Sequence, residues 1–91
     1  LVSVAAALEL EGERIVDARL ALGGVAHKPW RDRAVEASLI GQVVSRETFS
    51  NAADAVLQDA EPLEHNGFKI KLARRGIIRA LSDAAVAGER P

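Results

Sequence analysis

Residues 2–24 read VSVAAALELEGERIVDARLALGG, and this stretch decides the fold. In an extended chain Val2, Val4, Ala6, Leu8 and Leu10 fall on one side, and Ser3, Ala5, Ala7, Glu9 and Glu11 on the other. A period of two with one apolar face is the pattern of a strand covered on one side. Glu11-Gly12-Glu13-Arg14 supplies a glycine turn. Beyond it Val16, Ala18, Leu20 and Leu22 share a face, opposite Ile15, Asp17, Arg19 and Ala21. Two such runs joined by a short glycine turn predict an antiparallel hairpin. A hairpin alone makes a poor sheet. A third strand is expected, either from AHKPWR (residues 26–31) or from residues upstream of Leu1.

Beyond Pro29 the period changes. Asp32 or Arg33 begins a short helix, RAVEASLI, and Gly41 ends it as a residue tolerant of the left-handed conformation. Ser45 caps a second helix with Glu47 in its first turn. Phe49, Ala52, Ala53, Val56 and Ala60 form its apolar stripe. Pro62 and the Asn66-Gly67 pair break that helix. A last helix is predicted from about Phe68 to about Ala87. Its main stripe is Ile70, Ala73, Ile77, Ala80, Leu81 and Ala84, with Phe68, Leu72, Arg75 and Arg79 nearly opposite. Two apolar patches on one helix imply one contact with its own sheet and another with something else. The order strand, strand, loop, three helices predicts an α+β fold, an antiparallel β-sheet with about three helices packed on one face.

Ninety-one residues make one domain. A chain this short buries only about 60 % of the surface its unfolded form exposes. Aromatics are 3 % of the chain, so its core must be built from Ala, Val, Ile and Leu. Such a core is thin and leans on a neighbour, a further domain or a second copy. A net charge of −1 offers no general attraction to nucleic acid or anionic lipid. The absence of cysteine removes disulfides, a thiol nucleophile and cysteine-held clusters. It also fits a reducing compartment, so a cytoplasmic location is expected, with periplasmic export of a parent complex as the alternative. No apolar run approaches the ~18 residues that span a bilayer, and no leader pattern opens the chain. With no methionine, and with Leu1 already inside a strand pattern, the chain reads as a C-terminal piece of a larger subunit.

No residue pattern points to catalysis. His27 and His65 lack metal-ligand spacing and an assignable partner, and turn chemistry at Asn66-Gly67 accounts for His65. Gly23-Gly24 ends a hairpin strand, has no third glycine and is followed by Pro29, so it is a strand end and not a dinucleotide turn. KIKLARRGIIR gathers Lys69, Lys71, Arg74, Arg75 and Arg79, but without a basic domain or stacking aromatics it reads as a solvated or inter-domain helix face. Glu9, Glu11 and Glu13 flank a turn and imply no cleft. Trp30, the single tryptophan, suits an interface anchor better than a core position.

In this order, VSVAAALEL, DARLALGGVAHKPWR, AVEASLIG, ETFSNAADAVLQDA and HNGFKIKLARRGIIRAL resemble one family. It is the C-terminal domain of the FAD-binding (medium) subunit of molybdenum hydroxylases, including the flavin subunits of carbon monoxide dehydrogenase, xanthine dehydrogenase and aldehyde oxidoreductase. GGVAHKPWR and the closing HNGFKIKLARRGIIRAL are most similar to the xanthine and aldehyde branch. The resemblance spans essentially the whole chain. It implies an antiparallel sheet with about three helices on one face. It also implies a parent oxidoreductase subunit, in which electrons pass from a molybdopterin centre through iron–sulfur clusters to FAD and on to an acceptor. The family's flavin is bound mainly by two preceding domains, whose glycine-rich pyrophosphate-binding segments have no counterpart here. A basic residue that lies near the flavin in some relatives would also fall upstream of Leu1.

The sequence therefore predicts a supporting domain that holds no metal and no FAD of its own and is not catalytic. Its partners would be the FAD-binding domains of the same chain and the molybdopterin and iron–sulfur subunits. Candidate docking residues are Gly23, Gly24, His27, Lys28 and Trp30 in the loop, with Phe68, Leu72, Arg75 and Arg79 on the last helix. The alternative is a free-standing dimerisation or adaptor domain using the hairpin edge and the second face of the last helix. Nucleic-acid binding through Lys69–Arg79 is the third and weakest reading.

Overall fold

A computed structural model of the chain describes residues 3–23, 30–60 and 70–88. Strands β1 (Ser3–Glu11) and β2 (Arg14–Gly23) form the predicted antiparallel hairpin. Gly12 takes φ +63° at the first position of the two-residue turn, where glycine meets no steric cost. The third strand is β3 (Trp30–Arg31), at the end of the AHKPWR stretch. It pairs antiparallel with β2 through Leu22↔Trp30 and Ala21↔Arg31, giving the order β1-β2-β3.

One alternation differs from expectation. Leu8 pairs with Ala18 and Glu9 with Asp17, but Leu10 pairs with Ile15, so Val16 is the extra residue of a β-bulge. An extra residue resets the period-two pattern beyond it. Ile15 therefore joins Ala18, Leu20 and Leu22 in the core at 0 % exposure, whereas Val16 stays 38 % exposed. The assignment of Val16 to the core face and Ile15 to the opposite face is thus reversed. The bulge also lets Ile15 use both backbone groups on the loop after the first helix. Its N–H donates to the Gln42 carbonyl at 2.9 Å, and its carbonyl accepts from Gly41 N–H at 2.7 Å.

The helices are α1 (Arg33–Leu39), α2 (Arg46–Ala60) and α3 (Ile70–Gly88); the start expected for the last, about Phe68, lies outside the described residues. Asp32 caps α1, its Oδ1 accepting the Val35 N–H at 3.1 Å, and Gly41 follows the helix at φ +91°. Ser45 Oγ accepts the Thr48 N–H at 3.0 Å, the cap expected for α2. Helix α3 lies over β1 and α1 over β2, and α2 packs against both helices. The core is as thin as the composition implied. Leu20, Leu22, Leu39, Phe49, Val56, Ile77 and Leu81 interleave with Ala18, Ala52, Ala53, Ala60, Ala73 and Ala85. Small side chains allow close approach: a Cβ on Gly76 of α3 would stand 3.2 Å from Cγ2 of Val4 on β1. Among the described residues, no helix is long and apolar enough to cross a membrane.

Candidate functional site

Two features stand out once the layers are in place: the sheet face that none of the described helices covers, and a buried acidic cluster at the sheet edge. On the uncovered face the strand register sets cross-strand rows. Ser3 lies opposite Gly23, Ala5 opposite Ala21, Ala7 opposite Arg19 and Glu9 opposite Asp17. Arg31 joins beside Ala21 from β3. Between the alanines and the two arginines lies a shallow depression of about 250 Å³. A Cβ on Gly23 would stand 2.6 Å from Ser3 Oγ, so the glycine keeps that end of the face low.

The edge cluster follows from the shortness of β3. After pairing with Ala21, the chain leaves the strand at Asp32 to start α1, so Leu20 N–H faces outward with no strand partner. Glu36, one turn into α1 and only 6 % exposed, fills the gap. Its Oε2 accepts the Leu20 N–H at 2.8 Å. Arg31 grips the same carboxylate with two donors, Nε to Oε2 at 2.9 Å and Nη2 to Oε1 at 2.6 Å. Forked pairing of this kind is among the stronger side-chain contacts. The Arg31 hydrogen bond holds the Glu36 carboxyl below its usual pKa against the opposing cost of burial, with the Leu20 N–H adding to the same effect.

Asp32 behaves oppositely. It is buried at 6 % exposure, and its Oδ2 has no hydrogen-bond partner among the described residues. Burial pushes its carboxyl up from the ordinary aspartate value, and the Asp59 carboxyl on α2 pushes the same way. Both acids have structural roles: Glu36 closes the sheet edge and Asp32 caps α1. No group of three or more potential metal ligands occurs among the described residues.

The residues singled out from sequence are scattered. Gly23 ends β2, whereas Gly24, His27 and Lys28 lie outside the described residues, as do Phe68 and His65. Trp30 is half-buried, pairs with Leu22 and packs against the domain's own core. Arg75 and Arg79 are exposed on α3; Leu72 lies on the same helix. Arg79 reaches Asp83 only loosely, at 3.9 Å. Arg74 is used internally: it donates to Asp54 at 2.8 Å and to Ser50 Oγ at 2.7 Å, tying α3 to α2. Sequence reasoning missed Glu36, and it offered Asp32 only as one of two helix starts without foreseeing its burial. A charged residue inside a short apolar helix, RAVEASLI, was the available sign of a buried ion pair.

The geometry agrees with what the comparisons show. The description of the CO dehydrogenase flavoprotein C-terminal domain matches residues 1–84. The chain belongs to this family. The flavoprotein C-terminal domain is 39 % identical over 84 residues to the aldehyde oxidoreductase FAD-binding subunit PaoB of Escherichia coli K12. That match covers 92 % of the chain and 23 % of PaoB. It is 35 % identical over 83 residues to the glyceraldehyde dehydrogenase medium chain of Sulfolobus acidocaldarius, covering 90 % of the chain and 29 % of that protein. Among solved structures, quinoline 2-oxidoreductase from Pseudomonas putida 86 superposes with a TM-score of 0.83 at 25 % identity. That superposition covers 99 % of the chain and 33 % of the solved one. The flavoprotein C-terminal domain thus spans less than a third of the length of the relatives it matches.

Proposed function

We propose that the chain is the C-terminal supporting and docking domain of an FAD-containing electron-transfer subunit of a molybdenum hydroxylase, of the xanthine- or aldehyde-oxidising kind. The observation that carries this reading is the family match over residues 1–84, with 39 % identity to a protein named as an FAD-binding subunit. The second relative is named as a medium chain, which fits a role inside a multi-chain enzyme. Molybdopterin and iron–sulfur subunits are the partners in this reading.

FAD itself does not fit the described residues. A pyrophosphate needs a glycine-rich turn whose N–H groups converge at a helix N-terminus. The described glycines serve other ends: Gly12 a hairpin turn, Gly41 and Gly88 helix ends, Gly23 contact with Ser3, and Gly76 contact with Val4. The flavin is therefore assigned to the remainder of the subunit, and this domain to its support. Gly23, Gly24, His27, Lys28 and Trp30 form one candidate docking segment, and Phe68, Leu72, Arg75 and Arg79 form the other, of which Arg75 and Arg79 are exposed on α3.

Purification of the 91-residue chain and of the full-length subunit tests the reading. The full-length protein is expected to be yellow with about one FAD per chain, and the short chain colourless. Stoichiometric flavin on the short chain would overturn it. A second reading, a free-standing dimerisation domain, is favoured by one observation: among the described residues β1 pairs only with β2, leaving its outer edge open over nine residues. Sedimentation at several concentrations separates the two, since a persistent monomer rules out the dimer.

A further inference from the structure

We propose that the sheet face that none of the described helices covers, centred on Ala5, Ala7, Ala21 and Arg19, is the surface on which the FAD-carrying remainder of the same subunit rests, meeting Arg19 with a carboxylate. The inference rests on the reading above and adds the place and the chemistry of the contact.

The first ground is side-chain size. A strand face that meets only water has no use for alanine, which is depleted in strands and shields little of the ladder beneath it. Here alanines stand directly opposite one another at Ala5 and Ala21, and Ala7 continues the patch. The domain's own helices cover the other face and make no use of them. Layers stacked on a sheet approach to roughly 10 Å, and small side chains make that approach easy.

Charge supplies the second ground. Arg19 projects from the middle of the alanine patch, opposite Ala7, and has no salt-bridge partner among the described residues. Its neighbour Arg31 is already held by Glu36. One row further on, Glu9 and Asp17 stand directly opposite each other, a like-charge arrangement that costs stability in an open sheet. A partner offering a carboxylate to Arg19 and a cation to the Glu9–Asp17 row would satisfy both. The face is thus zoned: small side chains from the Ser3–Gly23 row through Ala5 and Ala21, a basic Arg19 in the middle and acids near the bulge.

The third ground is what is available to cover the face. The matched relatives contain several times the length of this domain within one chain, with 77 % of PaoB lying outside the match (100 − 23). A companion in the same chain acts at high effective concentration, so a patch too small and too mixed for a free partner suffices for it. Gly23, the first residue of the candidate docking segment, lies at the small-residue end of the same face.

The test uses the full-length subunit in its assembled complex. Ala5→Cys and Ala7→Cys, both exposed in the domain itself, are each labelled with a maleimide and located by mass spectrometry. Labelling about tenfold or more slower than in the urea-unfolded subunit is expected for a covered face. Labelling close to the unfolded rate would overturn the inference. Arg19→Lys is then treated with a zero-length carbodiimide, which joins an amine to a carboxylate in contact with it. The expected product links position 19 to an Asp or Glu in the FAD-carrying part of the same chain. A link to a second copy or to another subunit would overturn the proposal, as would one confined to Glu9 or Asp17, or no link at all. Flavin absorbance on the same sample is independent of these results. A colourless subunit sinks the functional reading, whereas a yellow one with a freely labelled face sinks only the docking surface.

Discussion

The Glu36 carboxylate stands where the next residue of β3 would have been, accepting the Leu20 N–H at 2.8 Å. A side chain from α1 thus does the work of a strand and joins the helix layer to the middle of the sheet. Removing it in Glu36→Ala leaves a buried N–H without an acceptor, at a cost of about 1–3 kcal/mol. Glu36→Gln keeps an acceptor for Leu20 and is expected to lose less. Urea unfolding of the three proteins checks the order. Because the folded pKa of Glu36 is lowered, its contribution is present above its ordinary value of 4.5 and is lost as pH falls through the lower folded value. The Glu36→Gln variant is expected to lack this part of the acid dependence.

Asp32 is expected to show the reverse dependence. The folded chain holds the Asp32 proton more tightly than the unfolded chain, whose ordinary value is 3.8. This group therefore adds stability at acid pH and ceases to do so as pH rises through its raised folded value. Burial opposes the charged form of this carboxyl. Asparagine caps helices as well as aspartate, so Asp32→Asn is expected to equal or exceed the parent in stability at pH 7. Asp32→Ala loses the cap and about 1 kcal/mol. Thermal melts of both variants from pH 3 to pH 8 would show it, and an Asp32→Asn protein less stable than the parent at pH 7 would refute the account.

The bulge makes a sharp contrast between adjacent residues. Simple alternation would make Val16 a core residue and Ile15 a surface one. The observed register predicts that Ile15→Ala costs about 2–5 kcal/mol, while Val16→Ala stays within about 0.5 kcal/mol. Equal effects in chemical denaturation would contradict the register.

Gly76 gives a size-dependent outcome. Alanine improves a helix interior by roughly 1 kcal/mol, but its Cβ stands 3.2 Å from a methyl of half-buried Val4, which must yield by a few tenths of an ångström. The two effects offset, and Gly76→Ala is expected to lie within about 0.5 kcal/mol of the parent. Gly76→Leu drives a larger side chain into β1 and is expected to cost about 1–3 kcal/mol. Pairing each variant with Val4→Ala tests the contact, since the leucine penalty is expected to shrink when the methyl is gone.

Much of this protein was determined by its sequence alone, through interactions between near neighbours. Strand alternation from Ser3 to Leu10, the Gly12 turn, the caps at Asp32 and Ser45 and the stripe from Phe49 to Ala60 all arise within one or two turns of chain. The ordered segments also carried the family resemblance, which the match over residues 1–84 bears out. What only the tertiary structure decided involves residues brought together from far apart. The bulge at Val16 brings Ile15 into backbone pairing with Gly41 and Gln42, and Glu36 takes its role from a β3 that ends after two residues. Val4 and Gly76 meet because α3 crosses β1. The alanines and Arg19 become one surface only when the register places them in adjoining rows. Such contacts depend on where distant segments stop and cross, which no short window of residues encodes.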